Sequence, residues 1–192
     1  MTWLVVGLGN PGFGYSKTRH NVGFMTADVM AGRLGVRWKR TRGISAETAV
    51  SPGAPIGVDS QIVAVKPLTF MNNSGDAVAP LARYYRTDPA HIVVIHDEID
   101  LDFGVLRVKF GGGDNGHNGL KSVRARLGTG EFYRVRIGVS RPPGTRDPMD
   151  WVLGVFPSSQ REDLKINIAE AADAVESLLR VGLAETQNRF NR

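Results

Sequence analysis

The chain has 192 residues, 42% of them apolar, enough for one domain with a substantial buried core. It contains no cysteine, which excludes a disulfide scaffold, a thiolate zinc site and a cysteine nucleophile. The net charge of +5 is unevenly placed. Basic residues crowd between Arg107 and Arg146 against Asp114 and Glu131, a second run from Arg33 to Arg42 holds no acid, and such clustering points to a polyanionic partner such as RNA.

The N-terminus carries no basic segment, and its apolar run at residues 3–6 is far too short for a signal peptide or a membrane span, so a cytoplasmic protein is expected. Those residues read as a buried strand that runs into Gly7-Leu8-Gly9-Asn10-Pro11-Gly12. The glycine spacing matches the dinucleotide-binding fingerprint, which also needs a helix starting inside the motif and an acid ending a second strand about 20 residues on. Neither is present. Pro11 to Tyr15 is rich in turn residues, helical spacing starts only at Asn21, and Asp28 falls inside the predicted helix. The glycines are therefore read as letting a loop pass close to substrate, with Asn10 displayed on it.

Thr18-Arg19-His20-Asn21 precedes a first helix marked by Val22, Met25, Val29 and Leu34. Residues 44–51 and 61–66 read as strands separated by Pro52-Gly53-Ala54-Pro55. After Met71-Asn72-Asn73-Ser74-Gly75 comes a second helix through Val78, Leu81, Ala82 and Tyr85, with Pro80 expected near its first turn or at a kink. Residues 92–96 form an apolar strand entering His96-Asp97-Glu98-Ile99-Asp100-Leu101-Asp102, and residues 105–110 form another. The stretch from Lys109 to Asn118 is glycine-rich and reads as a mobile lid beside a polyanion groove. It leads into a short helix of Leu120, Val123 and Leu127 whose free amides favour negative charge. In residues 133–139, Tyr133, Val135 and Ile137 alternate with Arg134 and Arg136. A long amphipathic helix is predicted from a capping box at Ser159 and Glu162 to Gly182.

Strands and helices alternate without a long linker. The expectation is one α/β domain over residues 1–192: a three-layer sandwich with a twisted, mixed, mainly parallel sheet flanked by helices. Ligands in such folds sit beyond the carboxyl ends of the strands, where Asn10 and Asp97 fall.

Histidine, aspartate and several asparagines at strand ends and helix starts are the parts of a metal-free hydrolytic site. An imidazole is a base near neutral pH, a carboxylate sets its tautomer, and amides hold an oxyanion or a peptide backbone. No serine stands in an elbow motif, so the nucleophile that His20 would activate is water. The acidic run after His96 offers the residue types of a Mg²⁺ site, but consecutive side chains at a strand end diverge. No metal and no cofactor are expected, and Glu98, Asp100 and Asp102 are read as a solvated turn.

The motifs Gly-Leu-Gly-Asn-Pro-Gly, Thr-Arg-His-Asn, Lys-Pro-Leu-Thr-Phe-Met-Asn-x-Ser-Gly, His-Asp-Glu-Ile-Asp, Gly-His-Asn-Gly-Leu-Lys-Ser and Arg-Ile-Gly-Val-Ser-Arg-Pro follow one another here in the order seen in bacterial peptidyl-tRNA hydrolases. The chain resembles that family over essentially its whole length. The resemblance implies cleavage of the ester between a peptide and the terminal ribose of tRNA, which recycles tRNA from aborted translation. By motif, His20 is similar to the general base and Asp97 to its orienting partner. Asn10, Tyr15, Met71 and Asn72 are similar to substrate-holding residues, Asn118 to the amide that binds water or steadies the tetrahedral intermediate, and His117 to a residue lining the tRNA side. Lys109 and Arg136 resemble the pair that grips the 5′ phosphate of the acceptor stem. Asp114-Asn115 departs from the small residues usual in the lid. The partner implied is peptidyl-tRNA, through its acceptor stem and 3′ end, with a monomeric protein, no membrane and no obligate protein partner. Three other readings compete: a ribonuclease using His20 and His117, a non-catalytic RNA-binding relative, and a nucleotide-dependent oxidoreductase.

Overall fold

A computed structural model describes residues 1–191. The sheet has seven strands, β1 (Thr2–Gly7), β2 (Lys39–Arg40), β3 (Ala46–Val50), β4 (Gln61–Pro67), β5 (Ile92–Glu98), β6 (Leu106–Phe110) and β7 (Tyr133–Gly138), in the order β2-β3-β4-β1-β5-β7-β6. The central run β4-β1-β5-β7 is parallel, while β3 and β2 on one side and β6 on the other are antiparallel. Among the described residues, six α-helices complete the fold: α1 (Val22–Leu34), α2 (Gly75–Tyr84), α3 (Asn118–Leu127), α4 (Pro148–Val152), α5 (Arg161–Val181) and α6 (Leu183–Phe190). This is the mixed, mainly parallel α/β sandwich that the alternating pattern predicts. Among the described residues, no helix is long and apolar enough to cross a membrane.

Both faces of the central strands are covered, which is why β1 and β5 are apolar runs rather than alternating ones. Val5, Val93 and Ile95 pack with Met30 of α1 and with Val175 and Leu178 of α5. Leu4, Val6, Ile92 and Val94 point the other way, toward Val78 and Leu81 of α2 and Leu120 and Val123 of α3. The period of two along each strand thus divides the core into two apolar layers.

Several expectations are corrected. The capping box does not form: α5 starts at Arg161 after a 3₁₀ turn, its N-cap is Gln160, and no side chain caps it. Pro80 lies well inside α2, past the first turn. Helices α4 and α6 were not apparent in the sequence, being too short to show a hydrophobic period. Arg134, on the charged side of the β7 alternation, is fully buried.

One close approach sets the position of everything that follows. A Cβ on Gly7 would strike the Gly23 carbonyl and come within 2.8 Å of the Ala27 Cβ, and one on Gly23 would lie 2.5 Å from the Leu8 carbonyl. With no side chain at either residue, the first turn of α1 presses against the end of β1. The turn Arg19–Asn21, just ahead of α1, is thereby held beside Asn10 and the end of β5.

Candidate active site

Four chain segments meet beyond the carboxyl ends of β1 and β5. From β5 comes Asp97, 2% exposed, and from the turn before α1 comes His20, 5% exposed. His20 Nδ1 lies 2.9 Å from Asp97 Oδ2, and His117 Nε2, from the start of α3, lies 2.8 Å from Asp97 Oδ1. One carboxylate therefore holds two imidazoles, whose rings stand 5.1 Å apart. His117, expected on the tRNA side, is part of the same bonded group.

The hydrogen bonds determine both tautomers. His117 Nδ1 accepts from the Leu120 amide at 3.2 Å as the N-cap of α3, so its proton is on Nε2, facing Asp97. His20 presents Nδ1 to an anion that only accepts, so its proton is there and Nε2 is left as a lone pair. Burial lowers the His20 pKa, but the charge of Asp97 and its hydrogen bond raise it more, and the net value lies above 6.5. For Asp97, burial favours the neutral acid, but His20 and His117 outweigh it and hold the carboxyl far below the usual range. A third imidazole, His96, sits beneath His117 with ring centroids 5.0 Å apart and donates Nδ1–H to the Asp97 carbonyl at 2.8 Å. Burial, then the proximity of His117, pushes His96 down to about 3, so it stays neutral.

Asn10 is fixed rather than displayed on a free loop. Its backbone exchanges two 2.9 Å hydrogen bonds with the Asn21 side chain, and its own Oδ1 accepts from the Met71 amide at 2.7 Å. This leaves its amide NH₂ for a ligand. Asn10, Tyr15, His20, Phe70, Met71, Asn72 and Met149 line one cleft, with Tyr15 and Phe70 edge to face at 6.3 Å. His20, Asp97, Glu98, Asn115, His117, Asn118 and Met149 line a second hollow. His20 and Met149 belong to both, so a substrate bond lying against His20 has room on either side.

Met149 reaches the site because α4 is tied to the residue before the base. Arg19 stacks on Trp151, with its guanidinium carbon 3.5 Å from a ring centroid, and donates to the Trp151 carbonyl at 3.2 Å. The Trp151 indole N–H is anchored in turn on the Ser140 carbonyl at 2.8 Å. Sequence reading missed Arg19, Asn21, Trp151 and Met149, because their role depends on contacts between distant segments. An arginine directly before the candidate base was the one available signal.

Lys109 and Arg136 stand apart from the imidazoles. On β6 and β7 the apolar residues point toward α5, and Arg107, Lys109, Arg134 and Arg136 share the opposite face. Burial, then Arg136 and Arg134, lower the Lys109 pKa, as expected where cations crowd together. Glu98 is not a solvated turn residue: it is 5% exposed and pairs with Arg136 at 3.0 Å. Asp100 likewise pairs with Arg141. Among the described residues, the cluster able to hold a metal ion is His20, Asp97 and His117, whose ligand atoms lie within 4.8 Å of one another. The sequence points instead to the acidic run after His96. The three atoms are already joined by N–H···O bonds, so a metal would have to displace both protons.

A family model described as peptidyl-tRNA hydrolase matches residues 4–192. The peptidyl-tRNA hydrolase of Mycobacterium marinum is 52% identical over 188 residues, covering 98% of this chain and 96% of the relative. That of Cutibacterium acnes is 51% identical over 197 residues, covering 99% and 98%. The crystal structure of the Acinetobacter baumannii peptidyl-tRNA hydrolase superposes with a TM-score of 0.90 at 34% identity, covering 99% of this chain and 94% of that one.

Proposed function

Since the chain belongs to the peptidyl-tRNA hydrolase family and is a hydrolase of peptidyl-tRNA, we propose that His20 is its general base and that residues 1–192 work as one catalytic unit. The observation that carries this assignment is the bond from His20 Nδ1 to Asp97, which leaves Nε2 as the free ring nitrogen of a residue lining both hollows. In the proposed reaction, His20 Nε2 takes a proton from water as the water oxygen bonds to the ester carbonyl carbon. The carbonyl electrons move to oxygen, and Asn118 is the amide that steadies that charge. The oxyanion then collapses, the bond to the ribose oxygen breaks, and His20 returns its proton to the departing hydroxyl. Asp97 stays ionised and carries the imidazolium between the two steps.

Asn10 and Asn72, with Met71 and Tyr15, hold the peptide side of the ester. Amides bind a backbone irrespective of side chain, so hydrolysis tolerates many peptide sequences. Lys109 and Arg136 take the 5′ phosphate of the acceptor stem, and the 3′ end runs from there to the site. General-base help of about 10²–10⁴-fold and an oxyanion donor of about 10²–10³-fold are adequate for an activated ester, so no metal or cofactor is invoked. The enzyme is proposed to act as a cytoplasmic monomer.

The deciding experiment follows release of the blocked amino acid from N-acetyl-aminoacyl-tRNA, in EDTA, by the wild type and His20→Ala. Turnover by the wild type and loss of nearly all activity in a folded His20→Ala support the reading. Restoration of a lost activity by divalent metal would transfer His20, Asp97 and His117 to a metal site. Cleavage of bare RNA would favour the ribonuclease.

A further inference from the structure

The loop joining β6 to α3 is rich in glycine, yet it is tied down at both ends by side chains that the proposed chemistry does not use. At its root the fully buried Arg134 guanidinium donates to the carbonyls of Gly112 at 2.7 Å, of Gly130 at 3.1 Å, and of Gly113. Its planar fork meets three peptide oxygens, and the cation packs over Phe132 at 4.5 Å. At the tip, Asn115 Nδ2 donates one hydrogen to Glu98 Oε2 at 2.9 Å and the other to Asp100 Oδ2 at 2.6 Å. The second oxygen of each carboxylate is held by an arginine, Glu98 by Arg136 and Asp100 by Arg141.

The backbone at Asn115 makes the amide's purpose visible. Its φ is +50°, in the left-handed region that glycine enters freely and other residues rarely occupy. Glycines stand close by at 111, 112, 113 and 116. Asparagine is among the few residues with a side chain that enter this region readily, and what it adds over a glycine is two hydrogen bonds across to the end of β5. That strand end carries Asp97, next to Glu98, and two residues beyond Asn115 the loop delivers His117 onto Asp97.

We infer that Arg134 and Asn115 are positioning residues for the hydrolysis: they hold the glycine-rich loop so that His117 and Asn118 stay in register with Asp97 and His20, and tie that arrangement through Glu98 to Arg136. The inference rests on the esterase reading above. Untethered, a run of glycines has the largest backbone freedom of any sequence, and the His117–Asp97 bond would form in only a fraction of molecules. Affinity for tRNA, set by the basic face, would be little altered, so the loss falls on kcat. Asn115 is exposed, which makes its bonds individually modest, whereas Arg134 is buried and holds more.

The test compares Asn115→Gly, Asn115→Asp and Arg134→Lys by kcat and KM on N-acetyl-aminoacyl-tRNA, and by amide hydrogen exchange over residues 111–118 in the free protein. Asn115→Gly keeps the left-handed backbone and removes the tether, and should lower kcat by about 3–10-fold, with KM within about twofold and faster loop exchange. Asn115→Asp keeps the shape but sets a carboxylate against Glu98 and Asp100, so it should be worse than glycine in both measurements. Arg134→Lys keeps the charge without the fork and should exceed either; if it does not fold, the Asn115 pair decides. Wild-type kcat and exchange in Asn115→Gly, or Asn115→Asp matching or surpassing it, overturns the inference. Exchange needs no substrate. Unchanged exchange defeats the tether in an active enzyme, while an inactive wild type with a protected loop defeats the esterase reading alone.

Discussion

Replacing Asp97 with asparagine changes almost no volume but turns a group with two acceptors into one acceptor and one donor. Both oxygens are in use: His117 takes Oδ1, and His20 Nδ1 lies across the pair, 2.9 Å from Oδ2 and 3.0 Å from Oδ1; the site is 2% exposed, so water cannot make up the difference. The amide must place its NH₂ against one imidazole. Facing His117, it would force the proton onto Nδ1, which accepts the Leu120 amide, and the cap of α3 would be lost. That cap is worth about 1 kcal/mol. Facing His20 breaks no further bond, but it puts the proton on Nε2, where the lone pair is needed. The second arrangement should win, and with it the base disappears. The expected loss is most of the worth of a general base, about 10²–10⁴-fold in kcat, with KM within about threefold. Asp97→Ala has no donor to impose the wrong tautomer, so it should retain more activity than the isosteric asparagine, despite its cavity. Single-turnover release from N-acetyl-aminoacyl-tRNA gives the rates, and ¹⁵N shifts of the His20 ring give the tautomer. A kcat for Asp97→Asn within tenfold of wild type, or a His20 that keeps its proton on Nδ1, would falsify the tautomer argument.

The base acts only when neutral and its pKa lies above 6.5, so kcat/KM should fall as pH drops through that raised value; a flat profile down to pH 5 counts against a histidine base. Stability has the opposite dependence. The His20⁺–Asp97⁻ pair contributes fully below pH 6.5 and is lost as pH rises through the raised His20 value, while the contribution of Asp97 is present above 3.8 and disappears only in strong acid. Thermal melts across pH should show the first loss in the wild type and not in Asp97→Ala. Lys109→Ala should raise KM on peptidyl-tRNA more than it lowers kcat, and reduce the salt dependence by about one unit of log–log slope; Arg136→Ala should do the same and also lower kcat, because it leaves buried Glu98 unpaired where Asn115 is tied. An equal loss for Lys109→Ala on a minimal ester without the tRNA stem would assign Lys109 to the fold instead. Gly119→Ala sets a methyl 2.5 Å from Met71 Sδ and 3.0 Å from His117 Cε1. Overpacking costs about 1–3 kcal/mol and the helix regains about 1 kcal/mol, so melting should drop by no more than about 8 °C. Displacement of Met71 and His117 should lower kcat/KM at least tenfold, and a variant with unchanged activity would show that neither group is held tightly.

The sequence alone determined the layered fold, because the signals it rests on are local. Runs such as Leu4-Val5-Val6 and Ile92 to Ile95 can be buried only between two layers, and the spacing of Val22, Met25 and Val29 suits only a helix. The candidate residues His20, Asp97, Asn10 and Asn118 were legible for a similar reason: each stands where a strand ends or a helix begins, and each belongs to a motif in a recognisable order. Short elements were not legible, since α4 and α6 are stabilised by contacts rather than by a period of their own. The Ser159–Glu162 capping box failed because a 3₁₀ turn satisfied the same end of α5 by other bonds. What only the tertiary structure decided is which groups meet. His117 shares Asp97 with His20, Asn21 fixes Asn10, Arg19 carries Trp151 and hence Met149, and Glu98 joins Asn115 to Arg136. Each of these contacts spans a separation in sequence that no local pattern encodes. Arg134 illustrates the reason. Alternation placed it on a charged face, but its burial follows from the glycine carbonyls that fold over it, and those are brought there by the close packing of β7, β6 and the loop.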